Sequence, residues 1–232
     1  MTVDEVLARM RSRAKESTAL TYQRHGAKEA LGVSFADLEK LKKEIKRDHA
    51  LALELWDTRY METRTLACFI ADPMRFNSTD LDSWIGELTT HGLVDCVVGN
   101  IVAKGPHAQS KLPQWTRSSD EHVGRAGWVL LAHLANDNPN LPDSFFEAYL
   151  DKIVSGIHKA PNRKKQAMNM AMIAIGIRSE ALAQKAIIAA RTVGPVEIDH
   201  GDTDCKTPDA EAYIKKAWAR KKGNKAKPMH IC

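Results

Sequence analysis

Three consecutive basic residues are the side chains in this sequence whose type and spacing point most directly to chemistry. Arg163, Lys164 and Lys165 follow Pro161, a residue that suits the start of a helix. Cationic side chains at a helix start favour phosphate binding, because backbone N–H groups and the helix dipole attract anions there. A solvated basic turn without a ligand would give the same pattern.

Asp95 is a lone carboxylate in the segment LVDC, within an apolar stretch that runs from Gly92 to Ala103. Charged residues are rarely placed among apolar ones without a partner or a task. A carboxylate in such a place could stabilise positive charge in a bound substrate. It could equally be a solvent-facing residue or a partner in a helix cap.

A second group of polar side chains lies near the C-terminus, in the segment DHGDTDCKTPDA. Its spacing matches neither a calcium loop nor a zinc signature. We therefore predict a turn-rich loop leading into a last helix near Thr207-Pro208, with no metal and no cofactor. The chain also contains no CxxC pair, so its four cysteines are interpreted as free thiols. The polar group consists of Asp199, His200, Asp202, Asp204 and Cys205.

Composition excludes several broad classes of protein. The chain has 232 residues, a hydrophobic fraction of 44%, a charged fraction of 27% and a formal charge of +5. These values are typical of a globular protein, and no apolar run approaches the roughly 20 residues of a membrane-spanning helix. The acidic-then-basic N-terminus is unlike a secretory signal, so we expect a cytoplasmic location.

The charge is unevenly distributed along the chain. Residues 1–160 carry a net charge of −2, and residues 161–232 carry a net charge of +7. The segment YIKKAWARKKGNKAKP alone contains seven basic residues and no acidic one. This asymmetry favours a polyanionic partner, although a solvated lysine-rich tail is the simpler alternative.

The elements that must position these side chains are helices, because apolar residues recur at helical intervals nearly everywhere. Val3 to Met10 form one stripe, and Ser34 with Asp37 resembles a helix cap. Only Val196-Glu197-Ile198 looks like a strand. Further helices are predicted over 49–57, 60–71, from a cap at Thr79 to 88, 92–103, from a cap at Ser119 to 134, from a first turn at Pro142, 161–177 and from Ser179 to 191.

The predicted fold class is all-α. Helix pairs recur at roughly 35–45 residues, close to the period of HEAT-type repeats. We predict a right-handed α-solenoid of antiparallel helix pairs, with a concave face able to hold an extended ligand. Residues 1–232 would form one repeat domain, with 194–232 as a C-terminal extension ending in the basic tail. A compact orthogonal bundle is the alternative.

Several stretches together resemble the AlkD-like DNA alkylation repair family, whose members are HEAT-like repeat proteins. Each motif alone is moderately specific, and their order and spacing carry the resemblance. The stretches are IKRDHALALELWDTRYMETRTLACFIADP at 45–73, HGLVDCVVGNIVAKG at 91–105, VGRAGWVLLAHLA at 123–135 and NRKKQAMNMAMIAIGIRSEALAQKAIIAA at 162–190. The segment GPVEIDHGDTDCKTPDAEAYIKKA is similar to the terminal extension of one branch of the family.

The resemblance implies binding of double-stranded DNA, alkylated in the active members, and hydrolysis of the N-glycosidic bond of cationic N3- or N7-alkylated purines. Asp95 matches the catalytic carboxylate, which would stabilise an oxocarbenium-like sugar and position water. Arg125, in VGRAG, matches the active-site arginine, whose fork suits a phosphate flanking the lesion. Arg125 could instead form an interhelix salt bridge, and the two residues could simply pair with each other.

Two departures from the family pattern affect the predicted site. Active members carry a tryptophan four residues before the carboxylate, where this chain has His91. They carry a further tryptophan and an arginine where this chain has Met170 and Ile173. These changes remove two aromatic walls and a cation, which weakens the cation–π attraction that holds a cationic lesion.

Three functions therefore follow from the sequence. The first is an N-glycosylase for cationic alkylated purines, a monomer associated with the nucleoid when bound to DNA. The second is a member that binds a DNA structure with a degraded catalytic helix set, and the third is a protein-binding helical-repeat adaptor. The predicted DNA contacts are His91, Arg64, Lys104, Arg163, Lys164 and Lys165, and the predicted catalytic pair is Asp95 and Arg125.

Overall fold

Helices form throughout the chain because apolar positions recur every three or four residues between polar caps. The computed structural model describes residues 1–222, and these residues form thirteen α-helices and no β-strand. The basic tail beyond Lys222, with His230 and Cys232, lies outside the described residues. The helices are α1 (Val3–Arg11), α2 (Glu16–Arg24), α3 (Phe35–Ile45), α4 (His49–Asp57), α5 (Met61–Ile70), α6 (Ser78–Gly86), α7 (His91–Asn100), α8 (Ala108–Arg117), α9 (Glu121–Asp137), α10 (Asp143–Gly156), α11 (Asn162–Arg178), α12 (Glu180–Val193) and α13 (Ala210–Lys222).

Several helices begin at a side chain that accepts backbone N–H groups of the first turn. Two of the predicted caps are wrong. The hydroxyls of Ser34 and Ser179 cap α3 and α12, as predicted. Helix α6 starts before the predicted Thr79, because Asn77 and Asp80 accept each other's backbone N–H in a capping box. Helix α9 is capped by Asp120 and not by Ser119, since one carboxylate oxygen of Asp120 accepts two amides.

Other local predictions also need correction. Residues 196–198 lie in an irregular segment and not in a strand. Pro142 and Pro161 occupy the N-cap position, one residue before the first helical turn. Helices α2 and α8 were missed, and α8 continues through Pro113, which usually marks a break.

The described part of the chain divides into two compact units, the first comprising residues 1–111 with 201–203 and the second comprising residues 112–200 with 204–222. In the first unit α3 packs on α5, and α5 packs on α7, so alternate helices form a row. Its core contains the stacked rings of Trp56 and Trp84, whose centroids are 3.7 Å apart, with Phe76 edge-on to Trp84. The single repeat domain with an extension from residue 194 stays a prediction.

The second unit repeats the arrangement with later helices. Helices α9, α11 and α13 form one row, and α10 packs on α12 in another. The final helix α13 packs on both α11 and α12, and the indole N–H of Trp218 donates to the carbonyl of Gly176. Helix α11 therefore lies at the centre of this unit, with neighbours from both rows.

A buried carboxylate organises the N-terminal part of the first unit. Glu62 on α5 is 1% exposed and accepts the backbone N–H groups of Leu31, Gly32 and Val33, at 2.9, 2.6 and 3.0 Å. The hydroxyl of Tyr22 donates to the carbonyl of Val33, and burial, followed by the charge of Glu62, raises the pKa of Tyr22 to about 12. The loop between α2 and α3 is thus fixed to α5 by one side chain.

A half-buried cation has the matching role in the second unit. Arg178, the last residue of α11, donates to the carbonyls of Ala135, Asn138 and Leu141, at 2.9, 2.9 and 2.6 Å. Its Nε also donates to Asp143, and its guanidinium lies over the ring of Phe146. These bonds satisfy carbonyls of the last turn of α9 and of the loop that follows it, where the helix provides no N–H partners.

Glu62→Gln should lower the free energy of unfolding by about 2–4 kcal/mol, because a neutral amide weakens three charge-assisted bonds and turns a donor toward backbone N–H groups. Urea denaturation followed by far-UV circular dichroism measures the change. Glu54→Gln is the matched control, because Glu54 is exposed on α4 and its change should stay within about 0.5 kcal/mol. Equal effects of the two substitutions would contradict this role of Glu62.

Candidate nucleic-acid interface

Asp95 lies on the half-exposed face of α7. The other side of this helix is buried through Leu93, Val94, Val97 and Val98, so the helix turns its carboxylate away from the core. His91 precedes Asp95 by one helical turn, and residues at this spacing share a face. The ring of His91 meets the ring of His25 at a tilt of 62°, with centroids 6.2 Å apart.

Arg125 is buried on α9, where it is 2% exposed. Its Nη1 donates to the backbone carbonyl of Arg163 at 3.1 Å and to the side-chain oxygen of Gln166 at 3.0 Å. The opposite side of α9 packs closely on α8, because a Cβ at Gly127 would lie 2.4 Å from the backbone nitrogen of Thr116. The guanidinium of Arg125 therefore links α9 to the first turn of α11.

The predicted basic cluster at the start of α11 forms hydrogen bonds with other residues of the second unit. The backbone N–H of Arg163 donates to the carboxylate of Glu121 at 2.5 Å, so an acidic side chain already occupies this helix start. The amine of Lys164 donates to the carbonyl of Ser118, and its methylenes fill the space left by Gly124. Burial lowers the pKa of Lys164.

The two remaining predicted cations are in different surroundings in the first unit. Arg64 on α5 is 8% exposed, donates to Glu87 and to the carbonyl of Trp56, and lies over the Trp56 ring at 4.6 Å. Lys104 is exposed in a 3₁₀ turn after α7 and contacts Asn100. Arg64 is thus held by protein groups, whereas Lys104 faces solvent.

The two substituted family positions lie on α11. Ile173 is fully buried in the core of the second unit, and Met170 is half-buried. Neither side chain can supply the aromatic face or the charge that the resemblance implies at these positions.

The polar segment near residue 200 is a fixed loop. Asn162 exchanges two hydrogen bonds with the backbone of Asp199, and His200 bonds the hydroxyl of Thr207 at 2.9 Å. Burial, and then the charge of Arg163, lowers the pKa of His200. Among residues 1–222, no group of three or more histidine, cysteine or acidic side chains is arranged to hold a metal ion.

Three residues that contact the predicted site residues were not identified from the sequence. His25 follows a helix that was not predicted, so nothing marked its pairing with His91. Glu121 and Gln166 look like ordinary helix-surface residues, although an acid in the first turn of α9 was a usable signal. All of the predicted site residues except Lys104 lie on the rows of alternate helices, with Arg64, His91 and Asp95 in one unit and Arg125 and Arg163 to Lys165 in the other.

Packed rows of alternate helices are typical of a HEAT-like helical-repeat protein. The chain belongs to the DNA alkylation repair enzyme family, whose model matches residues 6–217. None of the helices in the described part of the chain is both long and apolar enough to cross a membrane.

Structural comparison agrees with the family. A solved structure with a TM-score of 0.87 and 28% sequence identity, covering 95% of each chain, belongs to a new family of proteins related to the HEAT-like repeat DNA glycosylases with affinity for branched DNA structures. The predicted all-α, HEAT-like fold is therefore confirmed.

Two bacterial relatives match over nearly their whole length. The chain is 27% identical to the uncharacterized protein Lin0241 of Listeria innocua, over 95% of this chain and 99% of that protein. It is also 27% identical to the uncharacterized protein Lmo0209 of Listeria monocytogenes, over 96% of this chain and 100% of that protein.

Lys164→Ala should destabilise the protein by about 1–2 kcal/mol, because it removes a methylene stem packed over Gly124 and a hydrogen bond to Ser118. Thermal denaturation measures this change. Lys165→Ala removes the same charge from the next residue and is the matched control, with an expected change within about 0.5 kcal/mol. If both substitutions leave the melting temperature unchanged, the side chain of Lys164 is not a structural link.

Proposed function

We propose that this protein binds branched DNA through phosphate contacts and recognises the structure of the DNA and not its base sequence. Membership of the DNA alkylation repair family and the branched-DNA affinity of the structural relative support this proposal. The sequence also contains no motif for base-specific recognition. Contacts to phosphates carry no sequence information, which suits a protein that recognises DNA geometry.

The geometry of Arg125 carries the proposal. The resemblance assigns this residue to a phosphate beside a lesion, yet its guanidinium is 2% exposed and bonds to the Arg163 carbonyl and to Gln166. Reaching a phosphate would require these bonds to break and a buried charge to move. Breaking a buried charged hydrogen bond without replacement costs about 1–3 kcal/mol or more. Arg125 thus fits a structural link better than a lesion clamp.

The residues that accompany the carboxylate of Asp95 also favour structure binding over the binding of a cationic lesion. His91 replaces the tryptophan that would pack on the deoxyribose, and Met170 and Ile173 replace the second tryptophan and the arginine. A cationic alkylpurine held between aromatic faces would gain cation–π attraction of about 0.5–2 kcal/mol per contact. An imidazole and two aliphatic side chains supply little of this attraction.

Base excision is the second candidate, and Asp95 favours it. The carboxylate is retained on the half-exposed face of an otherwise apolar helix. A cationic N3- or N7-alkylpurine already carries the positive charge of a good leaving group, so its departure needs no strong acid. Asp95 would stabilise the oxocarbenium-like sugar and orient the attacking water.

The protein should bind a four-way DNA junction at least about tenfold more tightly than a linear duplex of the same length, a difference of about 1.4 kcal/mol. If six to ten cations contact phosphates, affinity should fall by about 10³–10⁵ between 50 and 200 mM salt. A mobility-shift titration at several salt concentrations measures both quantities. Equal affinity for the two DNAs would contradict structure recognition, and absence of binding at low salt would favour the protein-binding adaptor.

The excision candidate predicts release of alkylated purine from methylated duplex DNA, with loss of release in Asp95→Asn at an unchanged melting temperature. Asn keeps the shape of the side chain and removes the charge that would stabilise the sugar cation. Chromatography of the released bases measures the reaction. Wild-type protein that releases no base from any alkylated duplex, yet binds the junction, would leave structure binding as the sole function.

A further inference from the structure

A pocket of about 280 Å³ opens among three interhelix turns of the first unit. Its wall is formed by the turn after α2, the turn between α4 and α5, and the turn between α6 and α7. Its lining includes Lys28, Glu29, Arg59, Arg64, Glu87 and Thr90. Among these residues, only Arg64 is also a predicted DNA contact.

Two unpaired cations give the pocket its charge. Lys28 and Arg59 are exposed, and neither side chain has a hydrogen bond or ion pair to another described residue. Arg64 is already balanced by Glu87, whose carboxylate lies 2.8 Å from its guanidinium. One acidic side chain, Glu29, opposes the two free cations, so the lining keeps a net positive charge.

The start of α7 adds backbone donors to this charge. The helix has ten residues, its first turn has no acidic residue, and the N-cap side chain of Thr90 makes no capping bond. The N–H groups of the first turn of a helix attract anions, together with the helix dipole.

The side chain of Thr90 supplies a second, independent observation. Thr90 lines the pocket and is 6% exposed, and its hydroxyl is buried without a hydrogen-bond partner among residues 1–222. A buried hydroxyl without a partner costs free energy that an acceptor in the pocket would recover. A phosphate oxygen is such an acceptor, and it is also the group that the free cations and the helix start attract.

The backbone of Arg59 has an unfavourable conformation. Its φ is 65°, in the left-handed region that favours glycine, and the residue ends the turn after α4. Strained residues of this kind persist where the surrounding structure holds them, and they are frequent at ligand sites. An arginine at this position keeps a cation at the mouth of the pocket at the expense of backbone strain.

We propose that this pocket is a phosphate-binding subsite that holds one phosphate group of the bound DNA. The assignment rests on the proposed DNA-binding function. The ligating groups are the side chains of Lys28 and Arg59, the hydroxyl of Thr90 and the first backbone N–H groups of α7.

The position of the pocket connects it with the candidate site. A Cβ at Gly26 would lie 3.7 Å from the methyl group of Thr90, so the α2–α3 loop contacts the start of α7. His25 and His91, whose rings meet edge-on, flank this contact. Asp95 follows one helical turn later, about 6 Å along the axis from His91. A phosphate in the pocket would therefore bring its DNA strand beside the carboxylate.

Glycine substitution of the two strained cations of the first unit gives a matched test. Arg59→Gly removes the cation and relieves the backbone, so the melting temperature should stay the same or rise while affinity for a four-way junction falls about three- to tenfold. The salt dependence should lose about one phosphate contact. Lys46→Gly makes the same change at φ 64°, outside the pocket, and should leave affinity within about twofold.

A third variant should act in the opposite direction. Glu29→Gln removes the acidic side chain that opposes the phosphate, so junction affinity should rise about twofold. Fluorescence anisotropy on the full chain measures all three variants. If Arg59→Gly and Lys46→Gly behave alike and Glu29→Gln does not tighten binding, the subsite is overturned, while junction binding by the wild type would still stand.

Inorganic phosphate tests the pocket without DNA. In a nuclear magnetic resonance titration, the amide signals of His91, Gly92 and Leu93 should shift saturably in the wild type and much less in Arg59→Gly. Absence of these shifts in the wild type would overturn the subsite, even if DNA binds. Their presence in a protein that binds no DNA would support the subsite and end the proposed function.

The source of the phosphate is distinguished by two junctions that differ in one group. If affinity is the same with and without 5′-terminal phosphates, and Arg59→Gly weakens both, the subsite holds a backbone phosphate. If affinity requires the terminal phosphate and Arg59→Gly abolishes that requirement, the subsite holds a strand end. Either result supports the pocket, and equal insensitivity of both junctions to Arg59→Gly contradicts it.

Discussion

The carboxylate of Glu62 controls how the N-terminal part of the protein is arranged. Three successive backbone N–H groups of the α2–α3 loop have no helix or strand to satisfy them, and this one side chain accepts all three. Because Glu62 is on α5, the loop is held against the same helix that carries Arg64. The adjoining turn brings His25, Lys28 and Glu29 to the start of α7. The candidate pocket is therefore a consequence of how a loop backbone is satisfied.

In the second unit, positively charged side chains donate hydrogen bonds to backbone carbonyls. Arg178 donates to three carbonyls in the last turn of α9 and the loop after it, while Arg125 links α9 to the first turn of α11. Lys164 also donates to a backbone carbonyl, that of Ser118. Several of the positively charged side chains of the second unit therefore form hydrogen bonds with the protein's own backbone. Cations held in this way stabilise the helix row and are less available to a polyanion.

The extent to which sequence predicts structure here depends on the range of each interaction. Caps at Ser34 and Ser179 and the boundaries of α4 were predictable because a cap is decided within about three residues. The order of motifs also indicated the family. The partners of Arg125 and Lys164 were not predictable, since they lie about 40 residues away along the chain, and the contact of Lys164 also depends on the close approach that Gly124 allows. His25 was not identified from the sequence, because its role depends on its contact with His91, which only the folded structure shows.

The stacked tryptophans of the first unit have an optical consequence. Trp56 and Trp84 overlap at 3.7 Å with their planes only 7° apart, so their electronic transitions are coupled. Trp128 of the second unit instead meets Tyr149 edge-on. The near-ultraviolet dichroism of the protein should therefore contain an exciton contribution that comes from the first unit. That contribution would report on the packing of one half of the chain without a label or an added probe.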